Sequence, residues 1–174
     1  MHITARRAVL GLGSNLGDRI ATLRSAVREL STSEGVRVVA VAPVWRTEPV
    51  GPPQPEYLNS AVLVETTLEP ASLLAQALAV ETKLGRNRVG RWSARTLDID
   101  LLWMADLVVD AAGLQVPHPE LTRRAFALAP LVALVPDCVD PVDGVPYAAK
   151  LAALPGVSVF PAGEMLDDTA DLGA

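Results

Sequence analysis

The chain has 174 residues, half of them hydrophobic and a fifth charged, with a formal net charge of −5. That is enough apolar material for one domain with a real core, and it excludes a disordered chain. The negative balance disfavours general nucleic-acid binding. A single cysteine, Cys138, rules out a disulfide within the chain and fits a reducing, cytoplasmic setting. The apolar run after the first arginines is too short for a secretory signal, and the longest apolar stretch is broken by Pro130, so no membrane association is expected.

In chain order, residues 8–12 read as a short buried strand ended by Gly13. Ile20, Leu23, Val27 and Leu30 follow at helical spacing, behind Asp18 as an N-terminal cap. Residues 36–45 are β-branched and predict one strand. Residues 47–56, "TEPVGPPQPE", contain four prolines and form a stiff loop. A strand follows at 57–66. Pro70 opens a second helix and Gly85 closes it. A strand over 97–103 completes a β-α-β-β-α-β order, the ferredoxin-like arrangement of an α+β sandwich. A hairpin at 107–116, a helix from Thr122 broken at Pro130, a short helix at 147–154 and a strand at 157–160 are C-terminal additions. The whole is expected to be one domain over residues 1–174, with its core in 8–160 and a loose acidic tail at 161–174.

The chemistry is concentrated around "RWSARTLDIDLLW", residues 91–103. Strand alternation puts Asp98 and Asp100 on one face, about 7 Å apart, and Leu97, Ile99 and Leu101 on the other. Two neighbouring carboxylates are unfavourable in a half-buried place unless cations lie between them, and magnesium suits an all-oxygen site that also holds phosphates. A D-x-D strand edge can equally be a plain solvent face. Arg86, Arg88, Arg91 and Arg95 precede the pair, with no acid between Gly85 and Leu97. Guanidinium forks on a glycine-containing loop suit a polyphosphate. Glu81, on the apolar stripe of its helix, should point toward the aspartate strand, either as part of the site or as a partner of Arg95. Tyr57 and Asn59 share a strand face, an aromatic plate beside a carboxamide, which suits a flat heterocycle. His118 sits between prolines, with Arg123 and Arg124 close in sequence. "GLGSNLGD" has the wrong glycine spacing for a dinucleotide fingerprint and reads as a tight turn that lets the helix pack on the sheet.

Together, "GLGSNLGDR", "RTEPVGPPQPEYLNSAV", "ETKLGRNR" leading to "RTLDIDLL", and "VPHPELTRRAFALAPL" resemble the 6-hydroxymethyl-7,8-dihydropterin pyrophosphokinase family over roughly residues 8–135. The resemblance implies a ferredoxin-like α+β sandwich. It implies transfer of the pyrophosphoryl group of MgATP to the pterin's hydroxymethyl oxygen, with release of AMP, in folate biosynthesis. By position, Asp98 and Asp100 would hold two magnesium ions. Tyr57 and Phe126 would sandwich the pterin, and Asn59, Thr47 and Val50 would contact it. Glu81 matches a glutamate of the family site. Arg86, Arg88, Arg91, Trp92, Arg95, Ile99, His118 and Arg124 would surround ATP and the moving phosphates, with Arg86 and Arg95 acting on the transferred group. The chain departs from the family where Ser93-Ala94 replaces Gly-Pro and where Pro119 follows the histidine.

The expected partners are therefore ATP and a reduced pterin alcohol, without nucleic acid or membrane, on a monomeric cytoplasmic chain. A magnesium-dependent nucleotidyltransferase on the same fold, and a non-catalytic ferredoxin-like binding module, remain the alternatives.

Overall fold

The computed structural model describes residues 4–49, 52–85, 96–155, 159–163 and 165–166. The elements in chain order are β1 (Arg6–Ser14), α1 (Arg19–Ser31), β2 (Val36–Val41), β3 (Trp45–Thr47), β4 (Tyr57–Thr66), α2 (Pro70–Lys83) and β5 (Asp98–Met104). They are followed by β6 (Val109–Ala111), β7 (Leu114–Val116), a 3-10 turn (Leu121–Arg123), α3 (Ala125–Leu134), α4 (Tyr147–Ala153) and β8 (Val159–Pro161). The six-stranded sheet runs β5-β1-β4-β3-β8, with β2 also on β4, and every pairing is antiparallel. β6 and β7 form a separate hairpin.

The sheet is buried on both faces. Leu10, Leu12, Val62, Val64, Ile99 and Leu101 face α1 and α2, whose Leu23, Val27, Leu30, Leu73 and Ala77 complete the first core. Val9, Ala61, Leu63, Leu102 and Trp103 face the other way, toward Leu128 and Leu131 of α3, with Tyr147 of α4 behind them. The helix ends follow their sequence signals. Asp18 caps α1 by accepting the Ala21 N–H at 3.0 Å, and Pro70 stands at the first turn of α2. Gly85, after α2, takes a φ of +85°, a left-handed value that glycine adopts without strain. Among the described residues no helix is long and apolar enough to cross a membrane.

Four sequence expectations change. The strand expected over 36–45 is two strands. β2 pairs with the Val62–Thr66 end of β4 and β3 with its Tyr57–Asn59 end, and Pro43, which has no N–H to give a ladder, lies between them. Val39 is an extra residue in β2, bulged out of register and 42% exposed. Pro130 does not break its helix. It is buried inside α3, between Leu128 and Leu131, both fully buried in the second core, so packing outweighs the lost backbone bond. Gly13 does not end β1, which continues through it to Ser14, and only Gly17, at φ +64°, serves the turn into α1. Finally, Leu166 lies in the stretch expected to be loose, yet it is buried in the first core. Residues 157–158 of the expected last strand lie outside the described residues.

Candidate active site

The site is built on the α3 side of the sheet, at the end where β1 runs into Ser14. The strand registers set out its rows. Gly13 on β1 lies between Asp98 on β5 and Asn59 on β4, and Asn59 in turn lies beside Trp45 on β3. One row further in, Gly11 lies between Asp100 and Ala61. Tyr57 and Thr47 pair at the outer end. Carboxylates therefore stand on one side, a carboxamide and an aromatic on the other, and two glycines between. Sequence reasoning missed this arrangement. The signal was the alternation of "LGLG": Leu10 and Leu12 enter the first core, so Gly11 and Gly13 must share the opposite face.

Asp98 and Asp100 are half-buried while Ile99 and Leu101 between and after them are buried, as strand alternation requires. β5 is an edge strand of the sheet. The Ile99 N–H donates to Glu81 Oε1 at 2.7 Å, so it points away from β1, and the peptide groups of Asp98 and Asp100 face β1. Glu81, 1% exposed, reaches this edge from α2. The inward orientation expected for Glu81 is present, and its described contact is with the strand backbone between the two aspartates.

Two devices place the wall opposite. In β5 the register slips between its pairings with Val9 and Leu10, leaving Leu102 as the extra residue of a bulge. Its carbonyl accepts the His118 N–H at 2.8 Å, which docks the "PHPE" turn beside the aspartate strand. His118 Nδ1 accepts the Glu120 N–H at 3.2 Å. In the neutral ring the proton is thereby assigned to Nε2, which becomes a donor. After the 3-10 turn, Arg124 stands at the residue before α3 and lies over the Phe126 ring, 5.9 Å from its centre. Both side chains are half-buried, on the helix that packs across β4 on the same face as Tyr57 and Asn59.

Asn59 is fixed by Thr47. Its Nδ2 donates to Thr47 Oγ1 at 2.5 Å, with both residues buried, so its Oδ1 is turned toward Gly13. The proline loop is held by a residue absent from the expected site. Asn15, 1% exposed, donates to Gln54 Oε1 at 2.9 Å and to the Pro55 carbonyl at 3.2 Å, while Arg19 donates to the Glu56 carbonyl at 2.8 Å. Arg86, Arg88, Arg91, Trp92 and Arg95, and Val50 of the proline loop, lie outside the described residues. Burial pushes the Cys138 thiol up to about 11, against a smaller downward effect of a backbone hydrogen bond, which removes it as a nucleophile at neutral pH.

A family model described as 7,8-dihydro-6-hydroxymethylpterin-pyrophosphokinase (HPPK) matches residues 9–136, a span that contains every element of this site. The chain belongs to this family. It is 38% identical over 154 residues to the 2-amino-4-hydroxy-6-hydroxymethyldihydropteridine pyrophosphokinase of Synechocystis sp., covering 88% of this chain and 79% of that one. The enzyme of the same name from Methylorubrum extorquens is 44% identical over 134 residues, covering 76% and 85% of the two chains. The fold is shared with Plasmodium falciparum HPPK-DHPS, with a TM-score of 0.69 at 13% identity over 85% of this chain and 43% of that larger one. The mixed α/β architecture around an antiparallel sheet is thus that of an HPPK neighbour.

The donor set fits the metal class that HPPK chemistry implies. Asp98 and Asp100 offer oxygens only, half-buried and on one face. Among the described residues no group of three or more His, Cys, Asp or Glu side chains gathers to enclose an ion. Two carboxylates without nitrogen or sulfur suit magnesium, which keeps water and substrate oxygens for the rest of its shell.

Proposed function

We propose that this HPPK-family chain transfers the β,γ-pyrophosphoryl group of MgATP to the hydroxymethyl oxygen of 6-hydroxymethyl-7,8-dihydropterin, a step of folate synthesis. The alcohol oxygen attacks the β-phosphorus and gives up its proton to water, the bond from that phosphorus to the α,β-bridging oxygen breaks, and AMP leaves with the bond's electrons. The observation that carries the proposal is the row Asp98–Gly13–Asn59, in which one carboxylate of the pair lies across one strand from a heterocycle-reading carboxamide.

Each side chain has a task. Asn59, oriented by Thr47, offers its Oδ1 to a ring N–H. Tyr57 and Phe126 supply the plates for the pterin, with the Arg124 guanidinium already covering one face of Phe126. His118 donates from Nε2, and Arg124 presents charge, to phosphate oxygens entering over the start of α3. By the family resemblance, Arg86, Arg88, Arg91, Trp92 and Arg95 would serve the ATP, with Arg86 and Arg95 on the transferred group, and the Ile99 backbone, on edge strand β5, would lie beside it. On the same resemblance, Val50 with Thr47 would contact the pterin. Glu81 holds the strand that carries Asp98 and Asp100. Magnesium, as two ions on these aspartates, would neutralise phosphate charge and bring the reacting oxygens into line. Catalysis by the chain is then positioning and charge neutralisation, with little covalent chemistry.

The same proposal takes β1, α1, β2 with β3, β4, α2 and β5 as a ferredoxin-like unit, which the order β5-β1-β4-β2 supports. It takes the chain as one monomeric cytoplasmic domain. Calorimetry with magnesium and a non-hydrolysable ATP analogue tests the site. Wild type should bind only with magnesium present, and Asp98→Asn and Asp100→Asn should lose the metal-dependent part while keeping their thermal transitions. Equal binding with and without magnesium, in wild type and variants alike, would remove the carboxylate pair from the mechanism.

A further inference from the structure

Glycine in the middle of a strand weakens it, because it loses more conformational freedom on folding than any other residue and contributes no side chain to pack. β1 carries two, Gly11 and Gly13, at alternate positions on the site face. Neither is among the residues with a positive φ, so the backbone itself would accept alanine at both. Something above the strand must account for the missing side chains. For Gly11 the reason is packing: a Cβ there would meet Leu102 Cδ1 at 2.9 Å and Cγ at 3.1 Å, the side chain of the β5 bulge. For Gly13 core packing is no explanation. Among the described residues, the one atom within 4 Å of a Cβ built there is Asn59 Oδ1, at 3.0 Å.

That atom is the acceptor assigned to the pterin. Asn59 Nδ2 is engaged by Thr47, so a Cβ at position 13 would press Oδ1 out of its place by a few tenths of an ångström. On the other side of Gly13 stands Asp98. Neighbouring strands lie about 4.8 Å apart, so the residues bearing the carboxamide and the carboxylate are separated by about 10 Å of bare backbone. A ring edge held at Asn59 and phosphates held near Asp98 must be joined across this gap by one methylene, one oxygen and an attack distance of about 3–3.5 Å.

Resting on the pyrophosphokinase proposal, we infer that Gly13 is a specificity-determining residue: its bare backbone is the floor over which the hydroxymethyl arm reaches the β-phosphorus, and it holds Asn59 Oδ1 in register with the ring. A side chain at position 13 both displaces the carboxamide and occupies the path of the alcohol. Among the described residues no Asp98 atom lies within 4 Å of a Cβ at position 13, so ATP and metal binding at the carboxylates should be little disturbed.

The test is Gly13→Ala, with three readouts on purified full-length chain. The expected results are a fall in kcat/KM for the pterin alcohol of roughly ten- to a hundredfold, magnesium-dependent affinity for a non-hydrolysable ATP analogue unchanged within about twofold, and a melting temperature within a few degrees of wild type. A merely structural role would instead lower the melting temperature and weaken both ligands together. Wild-type pterin kinetics in a folded Gly13→Ala would overturn the inference while leaving the pyrophosphokinase proposal intact. If wild type releases no AMP with ATP and the pterin alcohol, the proposal itself falls and takes the inference with it. Should the variant fold poorly, a crystal of wild type with the pterin alcohol decides. The hydroxymethyl carbon should lie in van der Waals contact with the Gly13 Cα, at about 4 Å, and an arm directed away from β1 would refute the role.

Discussion

Replacing Glu81 by leucine tests how the edge of the sheet is held. The perturbation removes the acceptor of the Ile99 N–H, a bond of 2.7 Å to a residue that is 1% exposed. A hydrogen bond to a charged acceptor is worth about 1.5–3 kcal/mol, and a buried N–H left without a partner costs about 1–3 kcal/mol. Leucine fills most of the space and recovers some apolar packing, so a net loss of about 1–3 kcal/mol is expected. For a chain of this size each kcal/mol moves the melting temperature by about 2–4 °C, giving a drop of roughly 2–12 °C. Glu81→Gln keeps an oxygen acceptor at the same reach and should lose less than half as much. The effect should be local. Native-state hydrogen exchange at the Ile99 amide should accelerate in the leucine variant, and AMP release should fall more at limiting than at saturating magnesium, because the strand carrying Asp98 and Asp100 is no longer pinned. A leucine variant with wild-type melting, unchanged Ile99 exchange and unchanged magnesium dependence would refute the reasoning.

Thr47→Val removes the acceptor of Asn59 Nδ2, leaves a buried amide unpaired at a cost of about 1–3 kcal/mol, and should raise KM for the pterin with little change in ATP-analogue affinity; steady-state kinetics check it. Asn15→Ala cuts the bonds to Gln54 and Pro55, so the proline loop loses its anchor and KM for the pterin should rise by about three- to tenfold in the same assay. Lys150 bridges Asp140 and Asp143, both at 2.6 Å. Burial pulls its pKa down, but the hydrogen bonds to the two aspartates outweigh that and hold it above the ordinary 10.5. The Lys150 hydrogen bond, then the Val145 N–H, hold Asp143 below the ordinary 3.8. The lysine's contribution is therefore full below pH 10.5 and lost as pH rises through its raised value, and the contribution of Asp143 is full above pH 3.8 and lost as pH falls through its depressed value. Lys150→Met should lower stability at pH 7, and chemical denaturation should show the gap from wild type closing at both extremes of pH.

The site was most legible where residue type and strand period agreed. Asp98 and Asp100 lie on one face because period-two alternation leaves no other choice once Ile99 and Leu101 enter the core. Tyr57 and Asn59 share a face for the same reason. The cap at Asp18 and the helix start at Pro70 are local chemistry and were readable as such. What sequence could not give was set by neighbours distant along the chain. The bulge at Leu102 depends on its register with β1, and the break at Pro43 depends on two segments sharing one edge of β4. Pro130 is buried inside α3, a helix that packs on β4 and α4. The glycines of "GLGSNLGD" were misassigned by their resemblance to a turn motif, although the leucines between them already fixed which way they face.

The central claim is that a carboxylate pair and a heterocycle site, set on either side of one glycine strand, pass a pyrophosphoryl group from ATP to an alcohol. The most direct measurement is chromatographic identification of the nucleotide released when the purified chain meets ATP, magnesium and 6-hydroxymethyl-7,8-dihydropterin. AMP should accumulate one for one with the pterin diphosphate. Release of ADP or of inorganic pyrophosphate, or ATP left intact beside the pterin, would contradict it.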